Sequence, residues 1–146
     1  MKFEQMTEQP LQILRVVSDL YPEVSGGLGI HAHLLSKHQS EMGHEVTVLT
    51  SDHGDSDLPY RERRGGYEII RLKELAAPLD NSIMPALFPT IWKFVKKADI
   101  IHAHSHLFFS SNVAAAIARF VDTPFILTNH GLISQTAPRW LQFIFL

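Results

Sequence analysis

Hydrophobic and polar positions follow two rhythms along this chain, and the rhythms take turns. Short β-branched or aliphatic runs, each bounded by Gly, Pro or Asp, occupy Gln12–Ser18, Glu45–Thr50, Tyr67–Leu72, Asp99–Ala103 and Pro124–Thr128. Their length and composition predict strands. Helical spacing fills most of the gaps. Residues 28–42 place Leu28, Ala32, Leu35 and Met42 near one face. Residues 86–97 end in Lys93, Lys96 and Lys97, cations suited to the negative end of a helix dipole. Residues 110–121 are alanine-rich, with Ser110 or Ser111 as the cap and Thr123-Pro124 as the stop. Residues 51–66 (SDHGDSDLPYRERRGG) follow neither rhythm and predict a loop.

Strand, helix, strand in repetition predicts an α/β fold. It is a Rossmann-like, three-layer domain with a mainly parallel sheet and right-handed crossovers. Ligands of such sheets sit beyond the carboxyl ends of the strands, near the switch point. Function is therefore expected in loops 19–29, 51–57, 104–110 and 129–137.

Composition narrows the class. The 146 residues suffice for one domain with a buried core. A net charge of −2 offers no basic face for nucleic acid. Arg61, Arg63 and Arg64 form the tight arginine group, and with Glu62 and glycines beside them they read as a solvated loop. The chain has no cysteine, which excludes disulfides and thiol nucleophiles and suits a reducing, cytoplasmic setting. The opening MKFEQMTEQP is polar and lacks the pattern of a leader. No apolar run reaches the roughly 20 residues of a membrane span. Leu79 to Val95 is apolar but broken by Pro85 and Pro89. It reads as a helix covering the sheet, with peripheral contact to a membrane or lipid acceptor as the alternative. Trp140 to Leu146 contains one polar residue, and such an unprotected apolar run predicts that the chain is the front part of something longer.

Three groups of residues carry candidate chemistry. Gly26-Gly27-Leu28-Gly29 opens the first helix. A glycine turn at a helix N-terminus presents unpaired N–H groups and the positive end of a dipole, and it lets a phosphate approach the backbone. Gly27, Gly29, Ala32 and Asp52 also fit a relaxed dinucleotide fingerprint, which makes an NAD-binding domain an alternative. In that fingerprint the first glycine leaves the strand directly, whereas Asp19–Gly26 intervenes here. A sugar diphosphate fits the longer loop better; a purely structural turn is the other reading.

The second group is His102, His104 and His106 in DIIHAHSH, on one side of the strand if it extends that far. His102 is expected to be partly buried and hydrogen-bonded, with His104 and His106 emerging to meet a hydroxylated ligand. A metal held with Asp52, Asp55 or Asp57 is an alternative, as is a structural role. The third group is Thr128-Asn129-His130-Gly131, where His130 is placed to hydrogen-bond a sugar hydroxyl or a diphosphate, or simply to cap the strand.

The segments PEVSGGLGIHAHLLSKHQSEMGHEVTVLTS, DIIHAHSH and TPFILTNHG, in this order, resemble the N-terminal half of family 4 retaining glycosyltransferases of GT-B architecture. The resemblance implies two Rossmann-like domains around a cleft, the first acceptor-side and the second holding a UDP- or GDP-sugar. It implies transfer with retention, no metal, and no cofactor beyond the nucleotide-sugar as co-substrate. The acceptor would be a sugar, a lipid or another small molecule. Gly26 and Gly27 are similar to the family's donor-diphosphate glycines, and His130 to its catalytic cleft histidine. His104, Ser105 and His106, with Asn129 and Gly131, fall on the acceptor side. The family's donor domain carries two glutamates eight positions apart, a spacing this chain lacks. The resemblance thus implies residues 1–146 as an incomplete acceptor-side domain without its donor-binding C-terminal domain. On its own it would be inactive and would depend on that domain or a partner chain. A non-catalytic interaction module, pairing through the apolar tail, is the further alternative.

Overall fold

The computed structural model describes residues 9–130. Gly131 and the Trp140–Leu146 run lie outside the described residues. The elements are β1 (Gln12–Val16), α1 (Gly27–Glu41), β2 (Glu45–Ser51), β3 (Arg61–Arg64), β4 (Tyr67–Leu72), α2 (Leu87–Val95), β5 (Ile100–His104), α3 (Phe109–Ala118) and β6 (Phe125–Thr128). A short 3₁₀ turn at Pro78–Asp80 precedes α2. They build a six-stranded sheet in the order β3-β4-β2-β1-β5-β6. All pairings are parallel except β3 with β4.

Alternation along the strands sorts side chains to two faces. On one, Ile13, Val17, Val46, Val48, Tyr67 and Ile69 pack with Leu20 and with Ala32 of α1. On the other, Leu14, Val16, Leu49, Ile70, Ile101 and Ala103 meet Leu87, Ile91 and Val95 of α2 and Ala114 and Ile117 of α3. The expected three layers are present. The chain runs outward from β1 through β2 to β4, then returns to place β5 on β1's other side. The switch point therefore lies between β1 and β5, where Ser18 and Ser110 hydroxyls meet at 3.1 Å.

One expected loop is partly a strand. Residues 51–66 include β3, whose RERR sequence has no apolar alternation because it forms a hydrogen-bonded edge beside β4. The arginine group is correspondingly not a solvated loop throughout. Arg64 donates to Glu23 and Glu62, and Arg71 of β4 donates to the same two carboxylates, at 2.7–3.1 Å. Arg61 does stay at the surface, paired with Glu68 across the hairpin. The four-residue network of Glu23, Glu62, Arg64 and Arg71 ties the loop after β1 to the β3–β4 edge.

Candidate functional site

Gly26 is the N-cap of α1 in extended conformation, and Gly27 is its first helical residue. A Cβ added to either would meet nothing within 4 Å, so the backbone there is open to an approaching group. Gly29 differs. Its added Cβ would lie 2.9 Å from the Val24 carbonyl oxygen, so this glycine seats α1 against the preceding loop. The expected phosphate-facing turn thus reduces to Gly26 and Gly27. Asp52 of the dinucleotide fingerprint is engaged elsewhere, its Oδ1 accepting from the Gly54 and Glu74 N–H groups at 3.0 and 2.9 Å.

β1 carries an arginine, Arg15, on the face covered by α1, and it is fully buried. It donates to Ser36 Oγ and Gln39 Oε1, both at 2.6 Å, and to His102 Nδ1 at 3.2 Å. A guanidinium only donates, so His102 Nδ1 carries the lone pair and its Nε2–H donates to Thr128 Oγ1 at 2.8 Å. Burial and the Arg15 charge hold His102 down to about 4. Both its nitrogens are committed, which leaves it no capacity as a metal ligand.

His104 stacks on His102, with ring centroids 4.4 Å apart, and is itself fully buried. The expectation that it emerges at the sheet edge does not hold: β5 continues through His104, and the rings of His31 and His130 lie over it. Its Nδ1 and His130 Nε2 share a hydrogen bond of 2.9 Å. Its Nε2 is buried without a partner among the described residues. Burial first, then the neighbouring His102 and Arg15, push His104 far below the usual imidazole range. Buried and neutral, it backs His130 through this bond. His130 is exposed, and burial and His31 move it down as well.

Ser105 turns the chain sharply at φ 61° and donates its N–H to the Thr128 carbonyl at 2.8 Å. The strand alternation ends there, so His106 leaves the line of His102 and His104. It instead donates a ring N–H to Asn129 Oδ1 at 3.2 Å. The metal alternative with Asp52, Asp55 or Asp57 finds no support. His102 is fully bonded, and the Asp55 carboxylate accepts the Asp57 N–H in its own turn.

Two residues that the sequence patterns did not single out complete the site. His31, one helical turn after Gly27, stacks edge-on against His130 with centroids 4.9 Å apart. It joins the glycine turn to the β5–β6 histidines. The i, i+4 spacing from Gly27 was a usable signal. Arg15 was signalled too, since a cation inside an apolar central strand must find buried partners. Nearby strand ends supply a further polar group. His53 lies 3.8 Å from both the Asp19 and Glu74 carboxylates, and burial raises Asp19. Glu74 also accepts from Ser51 and Ser82 hydroxyls.

Comparison with known proteins places this geometry. The model of Glycosyltransferase Family 4 matches residues 25–145. One relative is a subunit of phosphatidylinositol N-acetylglucosaminyltransferase from Arabidopsis thaliana. It is 28% identical over 136 residues, covering 87% of this chain and 29% of that protein. A glycogen synthase from Mycobacterium tuberculosis is also 28% identical, over 90% of this chain and 36% of its own length. The chain thus spans about a third of these relatives. A sucrose-phosphate synthase from Thermosynechococcus elongatus has the same fold, with a TM-score of 0.59 at 22% identity over 90% of this chain and 37% of that one.

Proposed function

The chain belongs to glycosyltransferase family 4, and from that premise we propose that it forms the acceptor-side wall of a nucleotide-sugar cleft. The enzyme moves a sugar from a UDP- or GDP-sugar to an acceptor hydroxyl with retention. A donor-binding domain, in the same polypeptide or on a partner chain, supplies the opposite wall. The observation that carries this reading is the bridge formed by His31, which brings the open N-terminus of α1 and His130 to one face at the strand ends.

The donor diphosphate lies on the N–H groups at Gly26 and Gly27, where the helix dipole favours anions. His130, held neutral above His104, hydrogen-bonds the transferred sugar. The Arg15–His102–His104 column fixes its position. The bond from the anomeric carbon to the diphosphate oxygen breaks, and the acceptor oxygen bonds to that carbon on the same face. The acceptor proton passes to the departing diphosphate. The chain's contribution is positioning and stabilisation of the charge that develops on the leaving group.

His53, Glu74 and Asp19 offer the acceptor hydroxyls polar partners at neighbouring strand ends. For a lipid acceptor, the α2 surface with Phe88 and Trp92 stacked at 6.2 Å beside Lys93 gives a place for peripheral membrane contact. Among the described residues no helix is long and apolar enough to cross a membrane.

Gly27→Val tests the diphosphate assignment. Its side chain enters open space, so the fold persists while the phosphate approach closes. We expect KM for the nucleotide-sugar to rise roughly tenfold or more, with an unchanged circular-dichroism spectrum. An unaltered donor KM removes the glycine turn from donor binding.

A further inference from the structure

Three imidazoles from three different elements converge at the cleft rim, and the transfer reaction does not require all three. His31 comes from α1, His104 from β5, and His130 follows β6. One ring nitrogen of each lies within 4.8 Å of the other two. The closest approach, His104 Nδ1 to His130 Nε2, is 2.9 Å. Tetrahedral zinc with Zn–N bonds of about 2.0–2.1 Å sets its nitrogen ligands about 3.3 Å apart. The triad brackets that spacing. His31 and His130 are exposed, and buried His104 lies behind them.

The donor set selects the kind of ion. Neutral imidazoles suit zinc and its neighbours, whereas magnesium and calcium take oxygen ligands. Behind the triad, His102 stacks on His104 and is itself locked by Arg15 and Thr128, which fixes the rear ligand as outer-shell groups do in metal sites. The Arg15 cation opposes a second positive charge nearby, so binding is weaker than at sites built with thiolates or carboxylates.

We propose that His31, His104 and His130 form a binding site for a borderline-soft divalent cation of the zinc type, with its remaining coordination position open to the cleft. Occupancy takes the His130 nitrogen from the donor sugar, so the bound ion inhibits transfer. That inhibition, unlike the binding, rests on His130 being a donor contact.

Titration of the purified chain with zinc chloride by calorimetry, and with cobalt chloride by visible absorption, tests the site. We expect one equivalent to bind and cobalt to show the intense bands of four-coordination. His31→Ala and His130→Ala, both at exposed positions, each weaken binding roughly tenfold or more. His38→Ala, on the exposed end of α1 beside Glu41, leaves it unchanged. Absence of stoichiometric binding overturns the site. So does binding that survives both His31→Ala and His130→Ala in folded protein, or that falls equally in His38→Ala. Tight zinc binding with undiminished sugar transfer by the complete enzyme supports the site and refutes the donor-contact role of His130.

Discussion

Two glycines of one turn behave in opposite ways, and the difference lies in what an added methyl group meets. Gly27 faces open space, whereas a Cβ on Gly29 would press on the Val24 carbonyl at 2.9 Å and the Tyr21 nitrogen at 3.2 Å. Within a helix, Gly to Ala gains about 1 kcal/mol from backbone entropy. Overpacking against fixed backbone costs about 1–3 kcal/mol. Gly29→Ala is therefore expected to lower Tm in thermal unfolding, against the sign that helix propensity alone gives. A raised Tm contradicts the packing role. The sequence marks all three glycines alike, because only the folded loop from Leu20 to Val24 distinguishes them. His104 makes the same point. Its H-x-H spacing signalled a site, but its burial depends on His31 and His130 arriving from distant parts of the chain.

At the scale of elements, the strands and helices with strong apolar periods were legible, and most observed boundaries fall within a residue or two of the expected ones. β3 was not. Its Arg61–Arg64 sequence carries no buried face, and it is a strand because β4 offers an edge and because Glu23, Glu62, Arg64 and Arg71 neutralise one another. That network makes stability depend on pH. Burial alone would raise the Glu23 carboxyl, and hydrogen bonds from Arg64 and Arg71 override it and bring it to about 2 from 4.5. Glu62 moves down for the same reasons. A carboxyl depressed in the folded state stabilises it above the unfolded value and loses that contribution as pH falls through the folded one. Thermal unfolding of the wild type is therefore expected to lose Tm between about pH 4.5 and about pH 2. Glu23→Gln starts lower at neutral pH and falls less steeply over that window. Parallel pH profiles for the two proteins contradict the assignment.

For the whole molecule, the doubly covered parallel sheet follows from the order of periodic segments, and the place of the site follows from the sheet. The carboxyl ends of β1 and β5 are where the topology opens a crevice, and there His31, His104 and His130 gather beside the Gly26–Gly27 turn. Composition could not reveal the internal wiring, the Arg15–His102–His104–His130 column with His31 alongside, because it joins residues more than 80 positions apart across neighbouring strands. That column makes His130 the fixed group of the cleft. The most direct test is sugar transfer by this domain joined to the proposed donor-binding half, comparing wild type with His130→Ala by nucleoside diphosphate release. A catalytic His130 predicts a fall in kcat of roughly two orders of magnitude or more, with an unchanged fold. Near-normal kcat in the variant would contradict it.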